Sequence, residues 1–329
     1  ETALAFRVRE ILRSMGLFEV LTYTFMDQEE LAQLGIPDDH PWRRAVAVAN
    51  PLSEEQGWLR TTLRPGLVRV LRLNVTRSQG QVRVFEVGRV FRPSARPSDS
   101  SGSGEPPGPS GEALPEERLA VGVALLDVPG AMEREWHTPA RPADFYDLKG
   151  LLEALAGELG AELAFVPEEH PGLHPGRSAS LWVNGPSGRS QAVGYAGELH
   201  PVVLQRLELP GRVLVAELDL LALAGAGREQ VRFAPLPRYP SVVRDLALVA
   251  PVELAAARVL EWVRTHAGPL ARQVKLFDVY TGPGLPEGTR SLGISITYQA
   301  PDRTLSDAEV DEAVRALLQA LEPLGLRLR

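Results

Sequence analysis

Four side chains carry the chemistry that stands out in this sequence: Ala247, Asp278, Tyr280 and Ser291, with Arg327 and Arg329 beside them. Counted by twos along strand-like runs, all six fall on one side of a single sheet. A tyrosine ring offers a plane on which a base can stack, and an alanine leaves clearance. A carboxylate accepts hydrogen bonds, and arginines suit phosphates. The carboxylate is also selective, because guanine presents two adjacent donors, N1–H and N2–H, that one carboxylate can accept together. The same residues read equally as ordinary edge-strand side chains with solvated arginine ends. In that alternative the unit is an assembly scaffold with no direct RNA contact.

The elements that must position these residues are legible. Lys275 to Tyr280 reads as a strand, Thr281 to Gly288 as a Gly/Pro-rich connection, and Ser291 to Gln299 as a returning strand. In the last of these, Leu292, Ile294, Ile296 and Tyr298 form an apolar face, and Ser291, Gly293, Ser295, Thr297 and Gln299 a polar one. Val242–Val249 supplies a first strand, with Asp245, Ala247 and Val249 opposing Leu246 and Leu248. Ala256, Val259, Leu260 and Val263 make a helix stripe. Ser306 with Glu309 forms a capping box for a second helix, and Leu324–Leu328 closes the unit as a strand. The order βαββαβ after the Pro-rich boundary near residue 235 is the ferredoxin-like split βαβ arrangement, here over 235–329.

Residues 1–234 read as an α+β mixture without a regular βαβ rhythm. Expected helices run from Leu4 to Met15, Gln28 to Leu34, Pro65 to Arg77 and Phe145 to Gly160. Expected strands are Val20–Phe25, Val46–Val48, Val82–Val87, Leu119–Leu125, Ala161–Val166, Ser178–Val183, Gln191–Ala196 and Val213–Leu218. Between Pro93 and Glu117 the composition turns to Pro, Ser, Gly and Glu, which predicts a disordered insertion.

The remaining chemistry reads blandly. Gly282, Gly284 and Gly288 approach a dinucleotide fingerprint, but their spacing is wrong and they join two strands. His170 and His174 cannot share a helical face across Pro171 and Pro175. No serine sits in a nucleophile elbow, and Glu116–Glu117 and Glu168–Glu169 fall in loop-like stretches. No catalytic residue and no metal ligand is assigned to this chain.

The chain has 329 residues, no cysteine and a formal net charge of −7. Disulfides, thiolate nucleophiles and cysteine-ligated metals are thereby excluded. The acid excess lies before residue 235, since 235–329 carries 11 Arg plus Lys against 11 Asp plus Glu. Only Lys149 and Lys275 are lysines, so cationic chemistry here is mostly arginine. No apolar run approaches the roughly 20 residues of a membrane span and no signal peptide is evident, which suggests a cytoplasmic location. The sequence opens at Glu1 inside a helical pattern, as expected of the later part of a longer protein.

An ordered set of motifs resembles the bacterial phenylalanyl-tRNA synthetase β subunit. They are Asn50-Pro51-Leu52-Ser53, Leu59-Arg60-Thr61-Thr62-Leu63 with Pro65-Gly66-Leu67, Phe85-Glu86-Val87-Gly88-Arg89-Val90-Phe91 and Phe145-Tyr146-Asp147-Leu148-Lys149-Gly150. His174-Pro175-Gly176-Arg177-Ser178-Ala179, Gly197-Glu198-Leu199-His200-Pro201 and Arg238-Tyr239-Pro240 with Arg244-Asp245-Leu246-Ala247 continue the series. The resemblance implies a class II synthetase-like antiparallel module without a working active site, then a ferredoxin-fold anticodon-binding domain. It implies an α2β2 heterotetramer that uses ATP and magnesium to attach phenylalanine to its tRNA, with no cofactor bound by this chain. It assigns Ala247, Asp278, Tyr280 and Ser291 to the tRNA anticodon, whose first base is guanine. The family's editing and tRNA-binding-like domains and its acidic magnesium ligands precede Glu1, so editing is not assigned here. The first helix and the Leu148 stripe are candidate surfaces toward the α subunit.

Overall fold

The computed structural model describes residues 1–51, 53, 56–94, 114–128, 141–185, 189–227 and 236–329. The chain divides into two compact units, Glu1–Gln230 and Val231–Arg329.

The first unit begins with α1 (Thr2–Ser14), β1 (Phe18–Glu19), β2 (Phe25–Met26) and α2 (Gln28–Gln33). It continues through β3 (Trp58–Leu59), α3 (Arg64–Thr76), β4 (Gln81–Arg92), β5 (Glu116–Asp127) and α4 (Phe145–Glu158). Then come β6 (Leu163–Pro167), β7 (Leu173–Asn184), β8 (Ser190–Leu199), α5 (Pro201–Arg206), β9 (Arg212–Asp219) and α6 (Leu220–Gly225). Its seven-stranded sheet has the order β1-β4-β5-β9-β8-β7-β6. Every neighbouring pair is antiparallel except β1 with β4.

Both faces of this sheet are buried. One packs Val8 and Leu12 of α1 and Leu148, Leu152 and Leu155 of α4 against Val121, Val123 and Leu125. The other packs Leu67 and Leu71 of α3 against Ala124, Leu126 and Val215. A strand covered on both sides reads as a continuous apolar run, which is why Leu119–Leu126 shows no alternation. The Leu148 stripe, expected as a candidate surface, is therefore spent inside the unit, whereas the first helix buries Val8 and Leu12 but leaves Phe6 exposed. Phe18, Leu21, Tyr23 and Leu73 are exposed as well.

Three sequence expectations change. Val20–Phe25 is not one strand: Val20 N–H bonds to the Phe85 carbonyl, and Thr22 donates to the buried Glu86 carboxylate. That polar partner interrupts the ladder before β2 begins. Val46–Val48 makes only an isolated bridge, Ala47 with Trp58. Glu116 and Glu117, expected in the insertion, are the first residues of β5 and stand opposite Arg92 and Phe91. Arg118 at 2.8 Å and Arg89 at 3.1 Å neutralise them. The greater part of the expected disordered insertion, residues 95–113, lies outside the described residues, as do 186–188 of the expected turn near Asn184.

The second unit runs β10 (Val242–Pro251), α7 (Ala256–His266), β11 (Ala271–Tyr280), β12 (Thr289–Tyr298), α8 (Asp307–Leu321) and β13 (Arg327–Leu328). The sheet order is β11-β12-β10-β13, all antiparallel. Leu246, Leu248, Leu292, Ile294, Ile296 and Tyr298 pack under α7 and α8, whose Val259, Val263, Val310 and Leu317 complete the core. This is the βαββαβ order read from the sequence. Only its last strand is shorter than expected: Glu322–Leu324 forms a 3-10 turn, and Gly325 takes φ 69° before β13 starts.

Candidate functional site

The sheet face of the second unit away from α7 and α8 is where the four expected residues meet. Register determines their arrangement. Asp278 pairs with Gly293, and Gly293 with Ala247; Arg329 donates its backbone N–H to the Ala247 carbonyl at 2.8 Å. One row therefore reads Asp278, Gly293, Ala247, Arg329. The adjacent row reads Tyr280, Ser291, Val249, Arg327. Beyond Asp278, Lys275, Ser295 and Asp245 form the next row.

The rows bring all four residues together, but they are not equally open. Asp278 is exposed, and among the described residues no donor takes its carboxylate. Ala247 is half-buried, which leaves space above it. Ser291, read from the sequence as part of an open polar face, is only 3% exposed. It lies between Tyr280 and Val249, whose larger side chains crowd it. Tyr280 is already engaged. Its hydroxyl donates to the Pro283 carbonyl at 3.1 Å, its ring sits against Gly282, and the Arg329 guanidinium stands 4.7 Å from the ring centroid. That cation–π contact spans the sheet from its last strand to its first, and steadies the ring.

The loop glycines prove to be turn formers. Gly284 and Gly288 take φ 89° and 74°, conformations open to glycine at little cost, and carry the chain from β11 into β12. The loop is closed by Thr289, whose backbone N–H and hydroxyl both donate to the Pro286 carbonyl.

Sequence alternation missed one resident of this face. A β-bulge between Leu276 and Asp278 sets Phe277 and Asp278 together opposite Gly293. Leu276 pairs with Ile294 over the core, so strict alternation would have sent Phe277 and Asp278 to opposite faces. Instead the Phe277 ring atoms Cζ and Cε2 stand 3.0 and 3.1 Å from where a Cβ on Gly293 would be, and the side chain is 54% exposed. The available signal was a bulky pair, Phe277-Asp278, opposite a lone strand glycine.

The first unit offers a cleft of about 410 Å³ whose lining includes Trp42, Arg92, Arg118, His170, Tyr195 and Glu217. Several of its buried groups hold one another, although Arg92 Nε and the neighbouring Arg64 Nη2 are buried without a hydrogen-bond partner among the described residues. Glu217 accepts from the Thr62 hydroxyl at 2.5 Å and the Leu63 N–H at 2.8 Å, and burial pushes its carboxyl up from the ordinary value. Arg64 donates to the Tyr195 hydroxyl and the Pro171 carbonyl, and packs over the Trp42 and Tyr195 rings. Burial, and then Arg64, hold His40 below its usual value; burial does the same to His170. The Ser180 hydroxyl stands 3.0 Å from His170 Nε2, but it donates its proton to Glu168 instead. No group of three His, Asp or Glu side chains among the described residues could hold a metal ion.

Comparison with known proteins accounts for both units. Residues 1–220 match the family model of the phenylalanyl tRNA synthetase beta chain CLM domain, and residues 237–329 match that of the ferredoxin-fold anticodon binding domain. The phenylalanine–tRNA ligase beta subunit of Moorella thermoacetica is 43% identical over 324 residues, covering 98% of this chain and 37% of the relative. That of Symbiobacterium thermophilum is 41% identical over 322 residues, covering 98% of this chain and 34% of the relative. The chain thus spans about a third of the length of the curated relatives it matches. With both units accounted for in order, this chain belongs to the phenylalanyl-tRNA synthetase beta-chain family.

Proposed function

We propose that this chain is part of the β subunit of a phenylalanine–tRNA ligase, in which the second unit reads the tRNA anticodon. The first unit, a non-catalytic relative of the class II synthetase fold, supports a catalytic α subunit within an α2β2 assembly. The boundary between the two roles falls near residue 235. The observation that carries the reading is the pair of adjacent rows placing Ala247, Asp278, Tyr280 and Ser291 on one face with Arg327 and Arg329. Asp278 would accept the two Watson–Crick-edge donors of a guanine, Ala247 would give clearance, and Tyr280 with Ser291 would flank the base. ATP and magnesium belong to the complete enzyme, and neither is bound by this chain. In support, the buried carboxylate of the first unit's cleft is held by Thr62 and Leu63, and the hydroxyl of Ser180 by Glu168.

The test is binding of the phenylalanine tRNA anticodon stem-loop to this chain, with Asp278→Ala and Tyr280→Ala alongside. Each substitution is expected to weaken binding by about 1–3 kcal/mol. Unchanged affinity in both would remove the anticodon reading. A wild-type chain with no RNA affinity at any salt concentration would favour the scaffold alternative. Aminoacylation by an α subunit, with and without this chain, tests the supporting role.

A further inference from the structure

We infer that Phe277 is a stacking plate for a second unpaired RNA base, next to the one taken by Asp278. The inference rests on the anticodon reading above and deepens it. Tyr280 has its hydroxyl tied into the loop and a guanidinium over its ring, so a base reaching it must share it with Arg329. Phe277 has no such engagement: among the described residues no aromatic ring or cation stacks on it, and about half of it faces solvent.

Three features hold the ring as a plate. The bulge turns it onto the same face as Asp278. Gly293 lets it settle on the sheet, because any side chain there would press on ring atoms only 3.0–3.1 Å from its Cβ. The surroundings are polar, with Lys275, Ser295 and Asp245 on the neighbouring row, so the ring is an apolar island on a face otherwise suited to sugar and phosphate. Lys275 has no carboxylate within 4.0 Å among the described residues and is available to the phosphate joining two such bases. Every base has a π-face, so a plate beside a selective carboxylate would add affinity without adding sequence preference.

The experiment uses the 329-residue chain and anticodon stem-loops in which 2-aminopurine replaces one loop base at a time, its emission being quenched by stacking. Phe277→Leu keeps the apolar cover over Gly293 but lacks the π-face. It is expected to bind about tenfold more weakly with an unchanged Tm, and to lose quenching at one position that Asp278→Ala retains. Phe277→Trp is expected to restore both affinity and quenching. Wild-type affinity in Phe277→Leu while Asp278→Ala is weakened would overturn the plate and leave the anticodon reading standing. A weakened Phe277→Leu with a lowered Tm and no rescue by tryptophan would assign the ring to covering Gly293 and overturn it too. Absence of binding by the wild-type chain would take down the anticodon reading and the plate together.

Discussion

Asp278 invites a test made on the RNA as well as on the protein. Inosine lacks the N2 amine of guanine, so placing it at the first anticodon position removes one of the donors the carboxylate would accept. The expected cost is about 1–3 kcal/mol for the wild-type chain and near zero for Asp278→Ala, and a double-mutant cycle of stem-loop affinities reads the coupling. A second residue-scale prediction concerns Arg60, buried with Glu86 at 2.7 Å and also bonded to Thr22 and the Arg89 carbonyl. Arg60→Ala would leave the Glu86 charge buried without its partner, and is expected to cost about 3–5 kcal/mol in denaturant unfolding. Asp278 was legible from strand alternation, whereas the burial of Arg60 was not. Nothing in the sequence around Arg60 marks it as interior, and only the approach of β4, which brings Glu86 and the Arg89 carbonyl to it, buries it.

At the scale of elements, α8 is held at its start by the Ser306–Glu309 capping box that the sequence spells out. The Arg303 guanidinium, then the Ser306 backbone and hydroxyl, pull the Glu309 carboxyl from 4.5 to about 2. A depressed carboxylate contributes stability that is present above its ordinary value and lost as pH falls toward its folded one. Thermal melts between pH 5 and about 2 should therefore fall more steeply for the wild type than for Glu309→Gln. Ser306→Ala is expected to cost about 1 kcal/mol. Glu217 of β9 has the opposite sign, because burial raises its carboxyl. The folded state then holds a proton that the unfolded state has released, so stability declines as pH rises above the ordinary carboxylate value. Glu217→Gln should remove that slope in melts taken at pH values rising from 4.5. The cap was legible because its partners are three residues apart. Glu217 is more than 150 residues from Thr62 and Leu63 and meets them only through packing.

For the whole molecule, charge is the constraint. The chain is acidic at −7, yet residues 235–329 are neutral, so RNA affinity must come from local placement and not from a general field. Lys275, Arg327 and Arg329 are the cations on the open face. If each meets one phosphate, stem-loop affinity should fall with log[salt] at a slope of about −2, from roughly −0.7 per contact on single strands. Arg327→Ala should make that slope shallower by about 0.7, measured as binding across a salt series. No helix among the described residues is long and apolar enough to cross a membrane.

Local patterns determined the βαββαβ order, the apolar stripes of the helices, the cap of α8, and the side of the sheet on which Ala247, Asp278, Tyr280 and Ser291 stand. Each depends on neighbours within a few residues or on a period of two or 3.6, and such signals survive in one dimension. Tertiary structure alone decided how open that face is. A one-residue bulge brought Phe277 onto it, crowding hid Ser291, and Arg329 reached across the sheet to cover Tyr280. A bulge is set by what the partner strand will accommodate, and Gly293 lies outside the strand that bulges. Accessibility, likewise, is a property of the neighbours that pairing brings alongside, and those are named by register rather than by position in the chain.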